Sequence, residues 1–338
     1  MTRATRKTSF QLPTLRTEGN LLPDDLLQRV AAQDPTLPGL SSEAYHLLPG
    51  ETLRDAISRA WLRMQGVWTS FQRALARLPP DDRATSITRD RWLLPLLQEL
   101  GFGRLVAAPP VEVAGRSFPI SHAYQHSPIH LLGWRVDLDR RTERVAGAAQ
   151  SSPHGLVQDL LNRSEAHLWA VLSNGRTLRL LRDNHSLVRQ AYIEFDLEMM
   201  MTGEHFADFA LLWLVCHQSR IEAERPHDCW LEKWFGIVRD EGQRALERLQ
   251  VSVKRAIVAF GNGFLKHRAN TALRTALSRG TLDVQAYYHE LLRLVYRLIF
   301  LFVAEDRGAL LPKLPDDAPP AARAAQDRYR RFYATSHL

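Results

Sequence analysis

The chain has 338 residues, 45% hydrophobic and 24% charged, a composition that excludes intrinsic disorder and predicts two or three domains rather than one. Forty-four Lys and Arg stand against 37 Asp and Glu, a net +7 that favours polyanionic partners through its long-range field; a high-GC genome gives the same excess of Arg over Lys. The two cysteines, Cys216 and Cys229, form no Cys-x-x-Cys pair, so neither a zinc ribbon nor a disulfide framework is readable and a reduced, cytoplasmic protein is expected.

The basic start, Met1 to Lys7, is followed by no apolar run and does not read as a signal peptide. The first forty residues, rich in Pro, Gly and Asp, predict an extended arm with a short helix near 24–32. A helix is predicted over 52–78. Thr52 and Asp55 make its start signal, and Ile57, Trp61, Met64, Trp68 and Phe71 form one apolar face. Pro79-Pro80-Asp81-Asp82 ends it and sets a first boundary at 80.

A short helix over 88–100 stops at Gly101, and the pattern then changes to strands. Strands are expected over 105–113, 117–121 and 129–138, with a helix over 153–162. After it, 167–172 and 177–182 flank Ser173-Asn174-Gly175-Arg176, a strong hairpin signal, and 189–195 alternates as a last strand. Beyond Asp196 helices are predicted over 203–221, 228–251, 252–259, 270–277 and 283–304. The segment 310–320 reads as a linker before a further helix over 321–333. The most apolar stretch, 291–304, is too short to span a bilayer, is interrupted by Arg293 and Arg297, and reads as a buried helix, so no membrane partner is expected.

The order of elements over 81–200 matches a PD-(D/E)xK nuclease, which needs two acidic residues on adjacent strands and a Lys two places after the second. The acids hold Mg²⁺, and metal and Lys together activate a water. Glu112 ends one strand; Asp137 and Asp139 end another, share a strand face and are the candidate metal ligands. Asp139, followed by Arg140, stands where the Lys belongs, and no Asp-x-Lys or Glu-x-Lys occurs from 80 to 200. Gln158 on the helix is a further candidate site residue. The expectation is a degenerate, inactive nuclease-like domain. A live Mg²⁺ nuclease using Glu112, Asp137 and Asp139, with Arg140 or Gln158 replacing the Lys, is the alternative.

Candidate phosphate contacts are Arg140, Arg141, Arg176, Arg179, Arg182, Lys254, Arg255, Lys266 and Arg268, which would position DNA without reading its sequence. Gly261-Asn262-Gly263 lacks a preceding strand and reads as a helix–helix turn, not a nucleotide loop. His122, His126 and His130, four apart but separated by Pro128, read as loop or surface residues rather than a zinc site. No phosphate-binding P-loop, Gly-x-Ser-x-Gly, His-Glu-x-x-His or Asn-Pro dipeptide is present.

Several stretches together resemble a known family. Leu161-Asn162-Arg163-Ser164, Leu168-Trp169 and Ser173 to Asp183 are similar to the N-terminal region of large fused restriction–modification methylases. So are Arg189 to Glu198 and, most specifically, Tyr287 to Arg307. The resemblance covers roughly residues 18–338 and points to type IIG-like enzymes and their relatives in bacterial phage-defence systems such as BREX and DISARM.

The resemblance implies a family that transfers a methyl group from S-adenosylmethionine to adenine N6, partnered by DNA and by a methyltransferase module or other defence subunits. The absent Asn-Pro excludes the Asn-Pro-Pro-Tyr methylase site, so S-adenosylmethionine is expected only in a methyltransferase domain that these residues lack. The expected fold class is α+β. It has an arm and helix over 1–80, a degenerate PD-(D/E)xK-like α/β domain over 81–200, an all-helical connector over 201–310, and a linker with the start of a truncated helix over 311–338. A purely structural, protein-binding connector is the third reading.

Overall fold

The computed structural model describes residues 12–19, 21–183, 191–311, 314 and 318–335. Two compact units cover residues 1–240 and 241–338, and the division falls within a helix.

The first region is mixed α/β. β1 (Leu15–Glu18) leads into α1 (Asp24–Ala31), which buries Leu26, Leu27 and Val30, and then into α2 (Leu53–Leu75). α2 opens on the expected capping box: the Thr52 hydroxyl accepts the Asp55 amide at 3.2 Å while the Asp55 carboxylate accepts the Thr52 amide. The short helix the sequence suggests is present as one unbroken helical run, α3 (Thr85–Thr88), a π-turn over Arg89–Leu93 and α4 (Leu94–Glu99).

β2 (Val111–Val113) and β3 (Arg116–Phe118) make a separate small hairpin, and β4 (His122–Tyr124) and β5 (Ser127–Leu131) a second. α5 (Pro153–Arg163) crosses over to β6 (Trp169–Ser173), followed by β7 (Thr177–Arg182) and β8 (Tyr192–Asp196); residues 189 and 190 of the expected last strand lie outside the described residues. The main sheet has six strands in the order β1-β8-β7-β6-β5-β4. Only β5 and β6 are parallel, as the α5 crossover requires. α6 (Leu197–Thr202) and α7 (Phe206–Cys216) follow.

Strand alternation sorts the core into two layers. Trp169, Val171, Leu178, Leu180, Ile193 and Phe195 face the helices α1, α2, α4 and α7, while Ala170, Leu172, Leu181 and Tyr192 face α5. The expected arm is therefore part of the fold: β1 adds to the sheet edge beside β8, and residues of α1 and α2 share one core with the strands. Trp92 anchors this layer. It lies against Trp68 at 4.9 Å and donates its indole N–H to the Gly175 carbonyl at 2.8 Å.

The expected strand over 129–138 stops at Leu131 because the chain leaves the ladder: the Trp134 amide bonds instead to the Thr88 hydroxyl at 3.0 Å. The histidine reading is corrected in part. His126 is half-buried in the turn, its Nε2 2.9 Å from the Glu224 carbonyl, and His122 and His130 are buried on adjacent strands.

α8 (Trp230–Lys266) is one continuous helix where two were expected, and the division at Asp240 falls inside it. The second region continues with α9 (Thr271–Ser278), α10 (Val284–Asp306) and α11 (Pro320–Phe332). Its core is small: Ile257 of α8 against Leu291 and Val295 of α10, with Val253, Phe260, Tyr287 and Ile299 around them.

Gly261 does not turn the chain. It sits inside α8 where a Cβ would meet Leu291 Cδ1 at 3.0 Å, and its carbonyl accepts the Tyr287 hydroxyl at 3.0 Å, so its missing side chain sets the approach of α10. α10 is not the buried helix expected, since Tyr296 and Phe300 are each 74% exposed. Among the described residues no helix is long and apolar enough to cross a membrane.

Candidate functional site

On the α5 face of the sheet, β7, β8 and β1 present charged side chains beside the apolar Leu181 and Tyr192. The strand register aligns Arg179, Glu194 and Arg16 directly across the three strands. The loop over 132–139 returns from β5 above them, pinned by the Asn174 amide group donating to the Val136 carbonyl at 2.8 Å. Asn174 also accepts the amides of Arg176 and Thr177 at 3.0 Å, which closes the hairpin turn. Gly175 completes that turn at φ +86°, against Thr88 and Trp92 where a Cβ has no room.

Arg179 is the centre of the site. Its side chain is only 5% exposed. Both terminal nitrogens chelate Asp139, at 2.6 Å to Oδ1 and 2.7 Å to Oδ2, and its Nε donates to Glu194. The guanidinium lies 4.6 Å from the Tyr192 ring centre, and Nη1 is 3.2 Å from His154 Nδ1. Burial opposes the charge on Arg179, but the bonds to Asp139 and Glu194 outweigh it and raise its pKa above the ordinary value. The Arg179 hydrogen bonds hold the Asp139 carboxyl below its ordinary value. Burial, aided by the neighbouring Arg179 charge, pushes His154 down to about 4, so its ring is neutral at pH 7, and among the described residues its Nε2 has no hydrogen-bond partner.

A cleft of about 620 Å³ opens beside this cluster, lined among others by Arg16, Trp134, Asp137, Arg176, Asp196 and Glu198. Arg176 bonds to Glu198 at 3.0 Å and lies over the Trp134 ring at 5.9 Å. Asp137 Oδ1 accepts the Asp139 amide at 2.8 Å, and its other oxygen is 3.7 Å from Arg140.

The structure brings together Asp137, Asp139, Arg176 and Arg179, and leaves the other two expected site residues elsewhere. Asp137 and Asp139 lie in the loop after β5, not on a shared strand face. Glu112 is exposed on the separate β2–β3 hairpin, opposite Ser117, and does not line the cleft. Gln158 on α5 donates to Asn162 at 2.8 Å and to the Arg182 carbonyl at 3.2 Å, also outside the cleft.

These residues do not fit Mg²⁺: both oxygens of Asp139 are taken by a guanidinium, and Glu112 is absent from the site. Among the described residues no group of three or more His, Cys, Asp or Glu is arranged to hold a metal ion.

The candidate phosphate contacts also separate. Arg179 is committed to its carboxylates, and Arg182 is held by Glu232 at 2.7 Å and stacked on Phe235 at 4.0 Å, so both serve packing. Arg140, Arg141, Lys254, Arg255, Lys266 and Arg268 are exposed, and Arg176 is exposed but paired.

Sequence reasoning missed Glu194, Arg16 and His154. Glu194 left a signal, a carboxylate at an interior position flanked by Tyr192, Ile193 and Phe195, which calls for a cation on the facing strand. Compared with family models, curated proteins and solved structures, the chain matches none.

Proposed function

We propose that this chain is a DNA-associated module of a restriction–modification, phage-defence adenine methylase, with a nuclease-like site that no longer cuts. The observation that carries the reading is Asp139 chelated through both oxygens by the buried Arg179. In this reading a cation of the protein engages the carboxylate that a metal-dependent nuclease would offer to Mg²⁺. The finer assignment of the sheet to a degenerate PD-(D/E)xK fold is part of the same proposal, supported by the α5 crossover between parallel β5 and β6 followed by two antiparallel strands. Methyl transfer from S-adenosylmethionine belongs to a methyltransferase module that works with this one.

The test incubates the purified chain with unmodified plasmid DNA and Mg²⁺ or Mn²⁺, beside an Asp137→Ala variant, and measures DNA binding at low salt. The expected result is no cleavage with retained binding. Cleavage that disappears in the variant overturns the inactive site and restores the nuclease alternative. Absence of both cleavage and binding leaves a protein-binding connector.

A further inference from the structure

All of the chain's net charge lies beyond Asp240. Residues 241–338 hold 16 Lys and Arg against nine Asp and Glu, a net +7, while residues 1–240 carry 28 of each. Within α8 the charge is ordered. Arg244, Arg248, Arg255 and Lys266 are separated by 4, 7 and 11 residues. At about 3.6 residues per turn these steps keep all four inside an arc of about 40°. Asn262 falls on the same arc, all five are exposed, and the arc lies opposite the apolar face of Val253, Ala256, Ile257 and Phe260.

Three features separate this stripe from an ordinary solvated face. Arg248, Arg255 and Lys266 have no acidic residue three or four places away, so they do not form the i,i+4 ion-pair ladder that stabilises a surface helix. Arg244 and Arg248 are like charges four apart, an arrangement that costs helix stability. Among the described residues, none of these four cations is paired with a carboxylate, whereas in the first region Arg179 is held by Asp139 and Glu194 and Arg182 by Glu232. The helix's only carboxylate after Glu241 is Glu247, which sits off the arc beside Lys254.

We infer that the Arg244–Arg248–Arg255–Lys266 face of α8 is a phosphate-tracking ridge for duplex DNA. The inference rests on the proposed reading of the chain as DNA-associated and locates the contact. At about 1.5 Å per residue the ridge is about 33 Å long. Duplex DNA carries a phosphate charge every ~1.7 Å of axis, both strands counted, and turns once in ~34 Å, so a straight line of cations of that length spans about one helical turn and meets the phosphates of both strands where they pass beneath it. Such contacts hold the duplex without reading its bases. Lys254, an equal charge on the same helix but off the arc, is the internal control.

The experiment is fluorescence anisotropy of a labelled 20-base-pair duplex titrated with the full chain between 50 and 200 mM KCl. It compares the wild type, the triple variant R248Q/R255Q/K266Q, the double variant R140Q/R141Q and the single variant K254Q, with helix content checked by circular dichroism. The triple variant is expected to lose more than ~100-fold in affinity near 0.1 M salt and to flatten the salt dependence by about 3 in log–log slope, while K254Q changes the slope by less than about 0.3, well short of the ~0.9 that a lost phosphate contact gives. Wild-type binding in the triple variant overturns the ridge, and loss in R140Q/R141Q instead moves the contact to the first region. A wild-type chain that ignores the duplex at 50 mM KCl defeats the DNA-associated reading itself. If it ignores the duplex yet holds single-stranded RNA or phosphatidylserine vesicles through the same residues, the ridge serves another polyanion and the duplex assignment falls.

Discussion

The regions on either side of Asp240 solve different problems. In the first, charges balance, Arg179 and Arg182 are matched to carboxylates, and two apolar layers close over both faces of a sheet. In the second, cations outnumber acids, Ile257, Leu291 and Val295 form the buried centre, and Tyr296 and Phe300 stand in solvent. Burial of apolar area is what offsets chain entropy, so the first region carries its own fold while the helices of the second depend more on local propensity. The difference teaches where to look for stability and where to look for partners.

Acid should separate the two regions most. Burial pushes His130 and His154 down to about 4 and His217 to about 3 from an ordinary 6.5, and all three lie in the first region. For each the folded pKa is below the unfolded one, so the unfolded chain takes up protons first as pH falls. The stability from keeping these rings neutral is complete above about 6.5 and drains away between there and about 4 for His130 and His154 and about 3 for His217, at roughly 3 to 5 kcal/mol per ring. Among its described residues the second region holds only exposed histidines. The melting temperature of the first region, followed by near-ultraviolet circular dichroism, should therefore drop steeply from pH 7 to 4.5. A flat profile would mean these rings are hydrated and the core is looser than drawn.

Single core deletions sharpen the contrast. Trp92→Ala removes a fully buried indole packed against Trp68 and Phe71 and bonded to Gly175, and should cost about 3–5 kcal/mol in urea unfolding. Leu291→Ala, in the small core of the second region, should cost about 2–3 kcal/mol and leave the first region's transition in place. One shared transition shifted by both substitutions would show that the two regions unfold as a unit.

Much of this fold was legible from local chemistry, and the site was less so. The Thr52–Asp55 capping box, the Ile57-to-Phe71 face and the Ser173-to-Arg176 hairpin are read within the chain, and the structure has all three. What failed was non-local. Arg179 looked like a phosphate contact or the wet face of a strand, because sequence order does not show that β8 sets Glu194 opposite it or that the 132–139 loop brings Asp139 over it. Glu112 looked like a site carboxylate because its strand was assumed to join the main sheet, and it joins a separate one. Gly261 and Gly263 looked like a turn, although a glycine in a helix also serves close helix packing, which depends on Leu291 thirty residues later.

The Arg179 cluster gives the next effect in size. Arg179→Met leaves Glu194, whose side chain is 14% exposed, without its cation and should cost about 3 kcal/mol. Asp139→Asn keeps the Arg179–Glu194 pair, and Asp139 is half in solvent, so its cost should be nearer 1 kcal/mol. Chemical denaturation of the two variants side by side measures the asymmetry. Equal costs would mean Asp139, not Glu194, is the partner that holds the guanidinium in place.

The smallest effect is expected on α10. Phe300 is 74% exposed and four residues from Tyr296 on the side away from Leu291 and Val295, so Phe300→Ser removes almost no buried area. Its cost to folding should stay within about 0.5 kcal/mol, the usual range for a surface substitution. The same change at a core position of that helix, Leu291, should cost several times more. The ratio of the two costs measures how one-sided α10 is in solution. A Phe300→Ser penalty as large as that at Leu291 would mean the ring is packed in the folded chain and that the second region has a larger core than Ile257, Leu291 and Val295 provide.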